Sequence, residues 1–192
     1  MTITSPNDII RSGRRSIFPQ FFTNEPISRA TLEHLLENAN WAPSHRQTEP
    51  WRFVIFRGEA REELADQFAD RYRIVVPVDK QDEKKINKTR KKMLAADTLI
   101  GIVLHRDPEE RVPEWEEIAA VAMAVQNIWL SLDQYGLGGY WSSPGILTSE
   151  YGIFPWLAKN ERCLGIFYLG HHDAPELPRK RGNWREKVSW KE

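Results

Sequence analysis

"WEEIAAVAMAVQNIWLSLDQY", residues 115–135, is the stretch on which the fold turns. Ile118, Ala119, Val121, Ala122, Ala124, Val125, Ile128, Trp129 and Leu132 cover nearly the whole circumference of a predicted helix. A helix apolar on most sides is buried on most sides, so this one is the spine of the fold or the seam of a dimer. GLGG, residues 136–139, ends it with left-handed freedom, and Tyr140 and Trp141 begin another extended piece.

Outward from the spine, residues 98–104, TLIGIVL, form an unbroken apolar run, the pattern of a strand covered on both faces. Residues 51–56, WRFVIF, are aromatic and β-branched and suit a second strand; residues 162–169, RCLGIFYL, read as a third, closed by Gly170. Ser28 can cap a helix that runs to about Trp41, with Leu32, Leu35, Leu36 and Ala39 on one face, and Pro43 stops it. Gly58 turns the chain into a more exposed helix on which Ala60, Leu64 and Phe68 share a face. Residues 79–92, DKQDEKKINKTRKK, read as a solvated helix or mobile loop, with a lid over a site as the alternative. Beyond Gly170 lies a Pro-broken, basic, Trp-bearing tail, about residues 171–192, too poor in aliphatic residues to fold alone. The order is helix, strand, helix, helix, strand, helix, strand, strand: one α+β domain over residues 1–192.

At 192 residues the chain can bury roughly 70% of the surface its unfolded form exposes. Lys plus Arg equal Asp plus Glu at 27 each, so no global charge draws it to nucleic acid or an anionic membrane. Any anion must be met locally. Cys163, the single cysteine, excludes an internal disulfide and a cysteine-based zinc site and points to a reducing, cytoplasmic home. The N-terminus lacks the apolar stretch of a signal peptide, and no window approaches the ~20 apolar residues that span a bilayer. A soluble protein is expected. Eight Trp is unusual, since such rings bury best in cores, interfaces or stacking sites.

Several motif readings fall away. The glycines of GLGG follow a helix rather than a strand, against dinucleotide binding, and WSSPG has Trp141 where a serine nucleophile elbow needs glycine. The five histidines show no metal-ligand spacing. What remains is a set of polar positions at the ends of buried elements: Arg14, Arg15 and Ser16; Ser44 to Gln47; Ser142 and Ser143; Arg179, Lys180 and Arg181. Guanidinium groups grip phosphate by paired, charge-assisted hydrogen bonds, and a neighbouring hydroxyl completes the shell. Arg-Arg-Ser is a plausible phosphate clasp.

RRSIFPQFFTNEPISRATLEHLLENANWAPSHRQTEPWRFVIF resembles the opening of the nitroreductase family of flavin enzymes, with its Arg-Arg-Ser entry and Ala-Pro-Ser loop ending in Pro-Trp. AVQNIWLSLDQYGLGGYWSS is similar to that family's long central helix, glycine turn and Trp-Ser segment, and LGIFYLG with a late LPRKR completes the order from about Arg11 to Arg181. Nearest in flavour are its small members, which carry His in the Ala-Pro loop and Trp-Ser-Ser after the glycines. The resemblance implies a mixed sheet flanked by helices, in an interlocked homodimer with two FMN molecules at the interface and the tail packing on the partner subunit. It also implies site roles. Arg14, Arg15 and Ser16 would hold phosphate and the ring's polar edge, with Arg179 or Arg181 closing on phosphate. Trp41 and His45 would reach the flavin from the partner subunit, Gln47 would be a further ligand, and Trp141, Ser142 and Ser143 would border the ring and ribityl chain. One departure is Glu49, where the family commonly has Gln: its charge would disfavour reduced flavin, or it faces solvent.

An isoalloxazine has an apolar face and a rim of donors and acceptors, which suits the short polar side chains of Ser44 to Gln47. The expected activity is ping-pong hydride transfer from NADH or NADPH, through FMN, to an electron-poor acceptor such as a nitroaromatic or quinone, with no catalytic side chain. The alternatives are a specialised reaction on the same fold, such as reductive dehalogenation, and a non-catalytic flavin carrier or interaction domain.

Overall fold

The structure is a computed structural model that describes residues 5–150, 152–176 and 180–192. Four strands, β1 (Trp51–Phe56), β2 (Thr98–His105), β3 (Leu137–Ser142) and β4 (Glu161–His171), form one sheet in the order β1-β2-β4-β3. Every neighbouring pair is antiparallel. The mixed sheet expected from resemblance is thus corrected for these strands. Among the described residues, parallel pairing is confined to a single bridge between Ser16 and Gly139. The connections explain this. Helices α3 (Glu59–Val75) and α4 (Glu83–Ala95) run out and back between β1 and β2, so the chain re-enters the sheet from the end it left. The lone crossover helix α5 (Glu114–Leu130) joins β2 to β3, which are parallel to each other but separated by β4.

Each face of the sheet is covered. On one, Ile100, Ile102, Leu104, Phe167 and Leu169 pack beneath α5 and α2 (Arg29–Asn40). On the other, Leu99, Cys163, Ile166 and Tyr168 pack against Leu64 and Phe68 of α3 and Met93 of α4. That is why β2 reads as an unbroken apolar run. The Ser28 hydroxyl accepts from the Thr31 N–H at 3.0 Å and starts α2, as its sequence predicts. The basic stretch 79–92 forms most of α4, capped by Asp82 and anchored by buried Ile86 and Met93. Ion pairs Arg73–Glu83 and Arg90–Asp66 tie it to α3.

Two expectations change. The α-helix stops at Leu130, a tight turn at Asp133–Tyr135 follows, and Gly136 alone takes the left-handed conformation, φ 63°. Gly138 and Gly139 already belong to β3, and Gly170 lies within β4. At Gly139 a side chain is excluded by packing: an added Cβ would lie 2.3 Å from Cζ of Phe167. Second, α5 is not buried all round. Val121, Ala124, Val125 and Ile128 face the sheet, while Trp115 and Met123 stay 68% and 40% exposed on the outer side. Residues 180–192 are exposed throughout, Trp184 and Trp190 included. Among the described residues no helix is long and apolar enough to cross a membrane.

Candidate functional site

The Arg14–Ser16 entry is stitched to the sheet by backbone bonds. Ile17 donates to the Gly139 carbonyl at 2.9 Å, Thr23 to His171 at 2.8 Å, and Asp173 to Phe21 at 3.1 Å. The entry therefore lies where β3 begins and β4 ends. Its orientation comes from Trp129 in the last turn of α5. The Arg14 guanidinium sits 4.8 Å over that indole, and the indole N–H donates to the Arg15 carbonyl at 3.0 Å. Edge-on packing against Phe167, centroids 5.1 Å apart at 87°, fixes the ring in turn. Stacking restrains the flexible Arg14 side chain. Arg15 has another partner: its two terminal nitrogens donate to the carbonyls of Pro175 and Ala174 at 2.6 and 2.9 Å, tethering the start of the tail. The Ser16 side chain is exposed.

At the far end of β3, Trp141 packs over Gly165, where a Cβ would lie 2.3 Å from the indole nitrogen, and its N–H donates to the Leu164 carbonyl at 3.2 Å. With that donor spent, Trp141 offers an apolar plane. Ser142 is half-buried and Ser143 exposed, just before Pro144 and the short α6 (Gly145–Thr148). Ser142 is three strand residues from Gly139, about 10 Å. The entry and the Trp-Ser-Ser segment thus belong to one region.

The remaining sequence-selected residues lie elsewhere in the chain. Trp41 ends α2 and is 81% exposed. In the loop after it, Arg46, Gln47 and Glu49 have φ of 54°, 54° and 43°, left-handed values for residues other than glycine. Such conformations cost about 1–2 kcal/mol each and gather at functional loops. The Ser44 hydroxyl steadies the loop by accepting from the Glu49 N–H at 3.2 Å, and Gln47 and Glu49 are exposed. The His45 ring meets Glu116, Nδ1 to Oε2, at 2.6 Å. This group is at the beginning of α5 and Trp129 is near its end; at 1.5 Å per residue, positions 116 and 129 are about 20 Å apart. The chain by itself does not bring these two groups together. Arg181 is exposed and donates to the Lys180 carbonyl at 3.2 Å, with no contact to the entry among the described residues. Arg179 lies outside the described residues.

Other ionisable groups read as structural. Buried Glu117 accepts from Arg106 at 2.9 Å and from the Asp107 N–H at 2.8 Å, pinning the β2–α5 connection. Arg111, hydrogen-bonded to Asp107, holds that carboxyl below the usual carboxylate range. Burial pushes the Cys163 thiol up to about 11, so it is a packing group rather than a nucleophile. No metal-binding cluster occurs among the described residues. Sequence reasoning missed Trp129 and Glu116 as site residues. In the sequence Trp129 reads only as helix apolarity, and nothing local links Glu116 to a histidine 71 positions earlier.

The chain's relatives share this arrangement of elements. A sequence model described as "Nitroreductase family" matches residues 12–171. The chain is 34% identical over 176 residues to "Putative NAD(P)H nitroreductase YfhC" of Bacillus subtilis, covering 90% of this chain and 88% of that one. A solved nitroreductase-like family protein from Bacillus cereus superposes with a TM-score of 0.86 at 27% identity, over 100% of this chain and 98% of the other. The FMN- and NADPH-dependent nitroreductase NfnB from Sphigopyxis sp. strain HMH has the same fold, with a TM-score of 0.70 at 21% identity over 97% and 99%.

Proposed function

The chain belongs to the nitroreductase family, and from that premise we propose that it is an FMN-dependent oxidoreductase taking hydride from NADH or NADPH to an electron-poor acceptor, a nitroaromatic or quinone. The donor set fits FMN. Arg14, restrained over Trp129, and the Ser16 hydroxyl beside it suit a phosphate monoester, with Arg15 adjoining and Arg181 or Arg179 closing from a tail. Trp141, with its N–H internally satisfied, supplies a flat apolar wall, and Ser142 and Ser143 supply hydroxyls along the ribityl chain. Bound FMN supplies the hydride chemistry, so the chain needs no side-chain nucleophile. The protein's work is to hold, orient and exclude water.

The single observation that carries this reading is the separation of the two polar groups to opposite ends of α5. A two-fold pairing of two copies along the outer side of α5, antiparallel, would bring Trp41, His45 and Gln47 of one to the Arg14–Ser16 entry of the other. Trp115 and Met123, left exposed on that side, favour such a homodimer, as do the uncovered tryptophans of the tail. A single buried thiol and a nicotinamide donor suit a reducing cytosol.

A visible spectrum under nitrogen, before and after NADH or NADPH, tests the reading. We expect a yellow protein that either or both nicotinamides bleach, with parallel double-reciprocal lines in steady-state turnover. Yellow protein that neither donor bleaches would indicate a carrier, and colourless protein that rejects added FMN would sink the flavin assignment altogether.

A further inference from the structure

Glu116 stands in the first turn of α5, and its carboxylate oxygen is 2.6 Å from Nδ1 of His45. An ionised carboxylate only accepts, so the hydrogen of that contact sits on Nδ1. The tautomer is thereby chosen and the ring's rotation about its side-chain bonds arrested. Nε2 is left on the open side of a ring whose side chain is 58% exposed, with no partner among the described residues. The loop that carries His45 is itself held in an unusual shape, since Arg46, Gln47 and Glu49 are all left-handed. A surface histidine free to move would need neither constraint. The two together hold one nitrogen in a defined position against the first turn of α5, where Trp115 is uncovered.

We propose that Glu116 is a positioning residue that presents Nε2 of His45 as the proton donor to the electron acceptor. This rests on the oxidoreductase reading above. For a quinone-type acceptor, reduction by NAD(P)H consumes one hydride and one proton per two electrons. The hydride leaves the nicotinamide, which departs oxidised, and ends on the acceptor together with both electrons. The proton leaves Nε2 of the His45 imidazolium: its N–H bond breaks as an O–H bond forms on the acceptor oxygen. The ring keeps its Nδ1 hydrogen, donated to the Glu116 carboxylate, throughout and recovers the lost proton from water at its exposed edge. Glu116 keeps the neutral ring in the one tautomer that can be reloaded at Nε2.

The test uses full-length holoprotein carrying Glu116→Gln, Glu116→Ala or Glu116→Asp. Two readouts are taken: the tautomer of His45 from nitrogen-15 ring resonances, and the rates of donor-side bleaching and quinone-side reoxidation, measured separately. In E116A, which leaves Nδ1 no acceptor, we expect the Nε2-protonated tautomer of the neutral ring to appear; the amide oxygen of E116Q can still accept from Nδ1, so that variant is read by its rates. Reoxidation should fall roughly tenfold or more, and by a larger factor than bleaching. E116D, which keeps the carboxylate, should restore part of both. E116A protein that keeps the wild-type tautomer, or E116Q and E116A proteins that lose both half-reactions in equal proportion, overturn the assignment while leaving the oxidoreductase reading intact. Wild-type protein that neither nicotinamide bleaches overturns the oxidoreductase reading first, and this assignment with it.

Discussion

Trp129 shows how one side chain can be read correctly and still be under-read. Its apolarity placed it on a buried helix, yet the ring also carries the Arg14 guanidinium on its face and holds the Arg15 carbonyl through its N–H. Arg14 and Arg15 were legible as a pair because two guanidinium groups beside a hydroxyl are a recognisable anion pattern. Their division of labour was not, since the Arg15 partners Ala174 and Pro175 lie 159 and 160 positions away. We expect Arg14→Ala to weaken FMN binding by about 1.5–3 kcal/mol, the worth of a charge-assisted contact, roughly ten- to hundredfold in Kd. Fluorescence titration of the apoprotein measures this, and an unchanged Kd removes Arg14 from the phosphate site.

Elements follow local rules well where the rules are local. The Ser28 cap, the period of α2, and the unbroken apolar run of β2 each specify their own structure, and each is found within a residue or two of its predicted place. Failures occur where a residue's role depends on a neighbour distant in the chain. Gly138 and Gly139 look like turn residues but sit in a strand, because Phe167 of β4 and the returning entry segment leave no room for side chains. Helix α5 looks wrapped on all sides, whereas the chain's own fold covers only part of it. That open side makes a prediction at the scale of the element. Half-buried Ala122 faces away from the sheet, so Ala122→Glu would set a charge against its own copy in a two-fold dimer, at a cost of several kcal/mol. Sedimentation should show monomers with unchanged helix content and lost flavin. A variant that stays dimeric and yellow would move the interface off α5.

In the molecule as a whole, the entry and the tail meet at His172. Its Nδ1 accepts from the Ala174 N–H at 3.2 Å, beside the carbonyls that Arg15 grips. Burial first, and then the Arg15 charge, lower the proton affinity of His172; His171 adds to this and Asp133 and Asp173 oppose it. The neutral ring is therefore the folded form. Its contribution is complete above the ordinary histidine value of 6.5 and is lost as pH falls from there through the lower folded value, because the unfolded state then binds the extra proton. Hydrogen exchange at the Ala174 amide should accelerate over that acid range relative to the core of β2. His172→Gln should flatten the response, and an identical response in that variant would assign the titration elsewhere.

Sequence by itself determined the α+β class, the order of the principal helices and strands, and the resemblance that led to the family. Each of those depends on periodicity, capping or residue chemistry, which act over a few positions. Tertiary structure alone decided that the strands pair antiparallel, that Trp129 orients Arg14, that Glu116 reaches His45, and that the two polar groups stand at opposite ends of one helix. These depend on which distant segments the packing of a shared core brings within 3 to 5 Å, and no local pattern encodes such distances.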